Sequence, residues 1–212
     1  MIEPRRMPRF VTLEGLEGAG KSTAMDFVRE WFEARGATVL CTREPGGTPL
    51  AEELRTVLKT VREEPVAAST ELLLMFAARA QHVERVIRPA LAAGKVVVCD
   101  RFTDSTRAYQ GAGRGLSLAT IDQLAGVAHS GCDPELTLWL DVPVALGLER
   151  AASREAADRF EQETLAFFER VRGGFESLCE REPARVRRVD ATRPLDEVRG
   201  QIETELEAAH GG

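Results

Sequence analysis

The chain has 212 residues, 43% of them hydrophobic and 29% charged, with a formal net charge of −6. That size admits a full hydrophobic core, and an acidic balance without a basic tail argues against a nucleic-acid polymer as ligand. No apolar run reaches the length of a membrane span, and the first residues lack the apolar core of a signal peptide. Cys41, Cys99, Cys132 and Cys179 show no C-x-x-C spacing and read as reduced thiols, so a cytoplasmic protein is expected.

Met1 to Pro8 is polar and proline-punctuated and reads as a loose leader, with Met7 as an alternative start. Arg9 to Glu14 (RFVTLE) reads as a buried strand that runs into Gly15-Leu16-Glu17-Gly18-Ala19-Gly20-Lys21-Ser22. These eight residues fit the phosphate-binding pattern G-x-x-x-x-G-K-[ST], whose glycines turn backbone N–H groups toward a polyphosphate. Ala24, Phe27, Val28, Trp31 and Phe32 then recur at helical spacing, completing the strand–loop–helix context the motif requires. The candidate ATP-binding residues are therefore Gly15 through Ser22 with Thr23. Lys21 would reach the β- and γ-phosphates and Ser22 would hold Mg²⁺.

Thr38 to Thr42 reads as a second strand, closed by the turn Arg43-Glu44-Pro45-Gly46-Gly47-Thr48. Helical patterning follows from Pro49 to about Val61, then from Ser69 to about Ala93 with a kink expected at Pro89. Val96 to Cys99 is a third strand ended by Asp100-Arg101, and Gly111, Gly113 and Gly115 suggest a flexible loop before a helix over Leu118 to His129. Leu136 to Leu140 is a fourth strand. A helix from Val144 leads to the arginine-bearing segment Arg150 to Arg159, and a long helix runs to about Arg181. Val186 to Asp190 is a fifth strand, followed by a last helix from near Pro194. Strands alternating with helices predict an α/β fold: a P-loop NTPase-type, doubly wound, five-stranded parallel sheet with helices on both faces, in one domain over residues 1–212. Ligands in such sheets bind beyond the carboxyl ends of the strands. Here those ends carry Glu14, Arg43-Glu44, Asp100-Arg101, Asp141 and Asp190, which are expected to converge. His82, His129 and His210 have no metal-ligand spacing and read as surface or core residues.

A P-loop alone does not identify a reaction. Guanine-reading GTPases use an N-K-x-D stretch, and this chain contains no asparagine. GLEGAGKST with Thr42 to Thr48 (TREPGGT), Phe76 to Gln81 (FAARAQ), Asp100 to Gly111 (DRFTDSTRAYQG), Asp158 to Glu161 (DRFE) and Asp190 to Thr192 (DAT) resembles the thymidylate kinase family over about residues 10 to 205. The resemblance implies phosphorylation of dTMP with ATP, small-molecule nucleotide partners, Mg²⁺ and a homodimer. The helix from Ser69, with apolar residues on more than one face, is compatible with such a dimer.

Several residue roles follow from that resemblance. Phe76 would stack on thymine, and Arg79, three residues later on the same helix face, would donate to a ring carbonyl. Arg101 would hold the dTMP phosphate, with Asp100 near Mg²⁺. Glu17 would accept from the 3′-hydroxyl. Glu44, Pro45, Arg55, Ser105, Tyr109 and Gln110 complete the acceptor set, with Pro45 expected in the cis form. Phe102 stands where the family usually has Tyr or His, which removes a hydrogen-bonding group. Gly18 stands where some members carry a P-loop arginine, so the transition-state charge is expected to come from a lid over residues 150–159. Arg154 is the first choice, Arg150 the second, and Arg159 is held near the site. A related nucleotide or deoxynucleoside kinase, or a nucleotide-binding regulator without catalysis, are the competing readings.

Overall fold

The structure is a computed structural model that describes residues 7–152 and 159–211. The leader residues 1–6 and the segment 153–158, with Arg154 and Asp158, lie outside the described residues.

Five strands, β1 (Phe10–Glu14), β2 (Val39–Arg43), β3 (Val96–Asp100), β4 (Leu136–Asp141) and β5 (Val186–Asp190), form one all-parallel sheet in the order β2-β3-β1-β4-β5. Parallel neighbours need crossover connections, and helices supply them. They are α1 (Lys21–Glu33), α2 (Pro49–Lys59), α3 (Ala68–His82), α4 (Arg88–Ala92), α5 (Thr103–Thr106), α6 (Leu118–His129), α7 (Val144–Ala152), α8 (Leu165–Arg181) and α9 (Leu195–Gly211). The chain goes from β1 out to β2, returns through β3, and then crosses over β1 to β4 and β5, so the two halves of the sheet meet at the central strand β1.

Strand alternation distributes the core. Val11, Leu13, Val96, Val98, Leu136, Leu138 and Leu140 meet Val28 and Phe32 of α1 and Ile202 and Leu206 of α9. The intervening Phe10, Val97 and Cys99 meet Val83 and Ile87 on the other face, and Trp139 meets Phe167, Phe168 and Phe175. Burying each large apolar side chain contributes about 1.5–3 kcal/mol, so a sheet apolar on both sides is stable only when both are covered. Among the described residues no helix is long and apolar enough to cross a membrane.

Two expectations need correction. The helix expected from Ser69 to Ala93 is divided by a wider π-helical turn over Val83–Ile87. Pro89, which has no N–H, then falls at the start of α4, directly after that turn. The stretch expected to be a flexible loop is instead ordered: α5 runs into a π-helical turn over Arg107–Gly113 that packs on α8. Its glycines serve close approach, since a Cβ added at Gly113 would lie 2.7 Å from Phe167 Cε2.

Candidate active site

Register brings the rim together. Leu13 and Arg43 both pair with Asp100, so the carboxyl ends of β1, β2 and β3 are level, and a cavity of about 620 Å³ opens beyond them. Glu17, Gly18, Gly20, Lys21, Ser22, Glu44, Pro45, Arg55, Arg79, Asp100, Arg101, Ser105, Tyr109 and Gln110 line it, with Lys59, Met75, Phe102, Phe160 and Glu161. Asp141 and Asp190 do not join this wall. Arg172 and Arg188 bond Asp141 on the β4–β5 side of the sheet, and Asp190 accepts from Thr192 and Arg193. Convergence is thus confined to β1, β2 and β3.

The phosphate loop joins β1 to α1, with Gly20 in a left-handed conformation (φ 88°) just before the helix. No side chain caps α1, so its first N–H groups remain directed at the cavity end, where an anion is favoured. Lys21 donates to the carbonyls of Leu16 (2.8 Å) and Gly15 (3.2 Å). Burial, and then the nearby Arg101 charge, lower its pKa to about 8. Gly18 has φ 73°, and a Cβ there would lie 2.1 Å from the Gly147 carbonyl oxygen of α7. A P-loop side chain at this position is therefore excluded by the backbone of α7. Leu16 and Ala19 are buried, while Thr23 is exposed beside Ser22. Beneath the loop, the fully buried Glu14 accepts from the Phe102 N–H (2.8 Å) and from Ser105. Burial, then Asp104, push its pKa up to about 8.

Arg101 projects from a backbone with φ 69°, a left-handed conformation uncommon for a residue with a Cβ. Its guanidinium donates to Ser105 Oγ (3.0 Å), Glu17 Oε1 (2.9 Å) and Tyr109 Oη (3.2 Å), and the Tyr109 hydroxyl donates to Glu17 Oε2 (2.8 Å). Burial works against the charge, but the neighbouring Tyr109, Glu17, Asp100 and Glu14 raise the Arg101 pKa above its usual value. Ser105 thereby aims Arg101 while its own proton is given to Glu14. Arg55 donates to the Pro45 carbonyl (2.9 Å) across a cis Glu44–Pro45 bond. Asp100 Oδ1 is buried and has no hydrogen-bond partner among the described residues.

At the far end of the cavity, Arg79 and Glu44 form an ion pair at 2.7 Å, each 3% exposed. Arg79 also donates to Thr106 Oγ1 (3.0 Å), and its Nη1 is buried without a partner among the described residues. Its guanidinium lies between the rings of Phe76 (4.9 Å) and Phe102 (5.1 Å). Phe76 itself is off the cavity wall: it packs with Leu72 and with Ile121 and Ala125 of α6. Met75, four residues before Arg79, takes the place expected for Phe76 on the wall. Positions three and four apart both share a face with Arg79, and spacing alone does not choose between them. Phe102, far from idle, is fully buried edge-on to Phe10 and faces Arg79.

The lid arginines separate. Arg150 donates to the Ala191 carbonyl (3.1 Å) and lies beside Gly18. Arg159 is turned away from the phosphate loop: it donates to the Leu58 carbonyl (2.8 Å) and to Glu71 Oε2 (2.7 Å). Glu71, fully buried on α3, also accepts from Gln110 (2.8 Å) and Arg114 (3.2 Å), so one carboxylate joins the cavity wall to the end of the lid. The sequence pattern did not single out Glu71 or Met75, and it marked Glu14 only as one of the strand ends. A charge inside an otherwise apolar helix start (Glu71) and inside a buried strand (Glu14) was the available signal.

The family model described as thymidylate kinase matches residues 13–202. A thymidylate kinase of Teredinibacter turnerae is 55% identical over 200 residues, covering 94% of this chain and 98% of the relative. One of Alkalilimnicola ehrlichii is 56% identical over 202 residues, covering 95% and 93%. The crystal structure of thymidylate kinase from Ehrlichia chaffeensis superposes with a TM-score of 0.71 at 34% identity, covering 87% of this chain and 93% of that one.

Proposed function

The chain belongs to the thymidylate kinase family, and from that premise we propose how its residues carry out phosphoryl transfer from ATP to dTMP, giving dTDP. It is a nucleoside monophosphate kinase, with ATP as phosphoryl donor. The observation that carries the residue assignment is Arg79: a buried guanidinium with an unpartnered N–H on the wall of the cavity that also holds Lys21. A fixed donor there matches the O4 carbonyl of thymine and opposes the amino group that cytosine has in its place.

In this reading Met75 packs its polarizable thioether on the base, with Gln110 beside it. Glu17 accepts from the 3′-hydroxyl, and Arg101 and Arg55 hold the acceptor phosphate beside Pro45. Because Arg101 is already oriented by Glu17, Ser105 and Tyr109, little ordering remains to be done on binding. The loop N–H groups and Lys21 hold the β- and γ-phosphates. The acceptor phosphate is ionised near neutral pH, so no general base is required, and the work is alignment and charge stabilisation. Arg154 supplies charge at the transferred group, Arg150 assists from the side of Gly18, and Arg159 anchors the lid through Glu71. Ser22 and Asp100, whose Oδ1 is buried without a partner among the described residues, would hold Mg²⁺, which would supply positive charge beside the phosphates.

The full chain is read as one domain. It is placed in the cytoplasm, a reducing compartment suited to four unpaired cysteines. It is also read as a homodimer. Val57, Leu73 and Val127 are 41%, 57% and 86% exposed on helices α2, α3 and α6, of which α3 packs on the other two, and light scattering at micromolar concentration reads the mass. The central test is a coupled assay across monophosphates. dTMP should be the best acceptor, dUMP weaker, and dCMP lower in kcat/KM by about 10²-fold or more. Equal kcat/KM for dTMP and dCMP would refute base reading by Arg79.

A further inference from the structure

We propose that His82 is a positioning residue of the acceptor site, fixing Arg79 through the shared carboxylate of Glu44; this rests on the reading of Arg79 given above. His82 follows Arg79 by three residues on α3, is fully buried and does not line the cavity. The two side chains grip one carboxylate from the same helix face: Arg79 Nε donates to Oε2 at 2.7 Å, and His82 Nδ1 donates to Oε1 at 2.9 Å. With Nδ1 donating, Nε2 is the acceptor for the Thr42 hydroxyl at 2.7 Å.

Thr42 and Glu44 belong to the strand exit that carries Pro45, so the imidazole ties that exit to α3 at two points. Gly47 closes the turn around the ring. It has φ 85°, and a Cβ there would lie 2.5 Å from both Cδ2 and Nε2 of His82. Backbone and ring are in such close contact that the turn cannot slide without displacing the imidazole. Neither oxygen of Glu44 is then left to swing, and the Arg79 guanidinium presents a single orientation to the cavity. His82 therefore governs acceptor choice without touching the acceptor.

His82→Ala is expected to raise KM for dTMP about tenfold and to lower the dTMP:dCMP ratio of kcat/KM by a similar factor. KM for ATP should stay unchanged and kcat at saturating dTMP should stay within about twofold. His82→Asn, whose amide nitrogen falls near Nδ1, should restore much of the ratio. His82→Gln, whose amide reaches toward Nε2 and Thr42, should restore less. Thr42→Val, which keeps shape and removes only the hydroxyl, should shift KM in the same direction by about twofold and serves if His82→Ala does not fold. A residue that merely fills the core would lower Tm in all variants and leave the dTMP:dCMP ratio at the wild-type value. That result, or equal rescue by Asn and Gln, overturns the proposal. A wild-type enzyme without preference for dTMP over dCMP would instead overturn base reading by Arg79, and the same assay reports both.

Discussion

The two ends of the cavity are built on opposite plans. At the acceptor end, charged side chains are wholly or partly buried and pair with one another: Arg79 with Glu44, Arg101 with Glu17, and Glu71 with Gln110, Arg114 and Arg159. At the donor end, recognition rests on main chain: Lys21 contacts only carbonyls of its own loop in the hydrogen bonds it makes, and α1 begins without a side-chain cap. A phosphate chain is met equally well by any backbone amide, so the donor end needs shape and net positive charge. A base is recognised by one donor in one place, and that demands rigid, mutually paired side chains. Deletions at the donor end should therefore change kcat and spare the fold, while deletions at the acceptor end should change KM and Tm together.

The largest effect is expected at the donor side of the lid. An arginine finger contributes about 10³-fold or more, so Arg154→Ala should lower kcat by about 10³ with little change in dTMP affinity, and Arg150→Ala by less. Full kcat in both variants, measured at saturating substrates, would remove the lid from the chemistry. Next comes Lys21→Ala, expected to lower kcat by about 10²- to 10³-fold. Its effect on stability sharpens the comparison. Burial lowers the Lys21 pKa to about 8, so at pH 7 the side chain is still largely charged but holds its proton less tightly than in the unfolded chain. Between about 8 and the ordinary lysine value of 10.5 the unfolded chain binds the proton more tightly, and this residue's contribution to stability rises with pH there. Lys21→Ala without nucleotide should thus keep or raise Tm at pH 7, and a clear fall in Tm would show that the loop is held together by this side chain.

At the acceptor end the expected effects are smaller in rate and larger in stability. Glu71→Gln leaves Arg159 without its buried anion and Arg114 with Glu163 alone, which should cost about 3 kcal/mol in urea unfolding. KM for dTMP should rise about tenfold as Gln110 and the lid anchor loosen together. An unchanged KM would uncouple the lid end from the base pocket. The smallest effect is at Glu14. Its pKa is raised from the ordinary 4.5 to about 8, chiefly by burial and then by Asp104. Between those values the folded chain keeps a proton that the unfolded chain has lost, so stability falls as pH rises from about 4.5 to about 8. Glu14→Gln should flatten that decline, by about 2–4 °C in Tm for each kcal/mol involved, while the wild type still shows it. Parallel Tm curves for the two proteins across this range would mean that Glu14 is ionised in the fold.

What the sequence determined by itself was periodic or local. Apolar runs such as Val96 to Cys99 announced the strands, since a strand buried on both faces is apolar nearly throughout. The phosphate loop was legible because its glycines, lysine and serine act through backbone geometry within eight residues. TREPGGT and the Asp100 to Gly111 stretch carried the family resemblance, and with it Arg79, Arg101 and Glu17. Tertiary structure alone decided the rest. Whether Met75 or Phe76 faces the cavity depends on where α6 packs, because both positions share a face with Arg79. Arg159 became an anchor because Glu71, 88 positions away, is buried beside it. Pro89 sits directly after a π-helical turn that local periodicity does not announce. His82 looked like an ordinary core histidine until the strand exit folded over it, bringing Thr42 and Glu44 from 40 and 38 positions away onto its two nitrogens. Such contacts join residues distant in the chain through side-chain directions that no local spacing encodes.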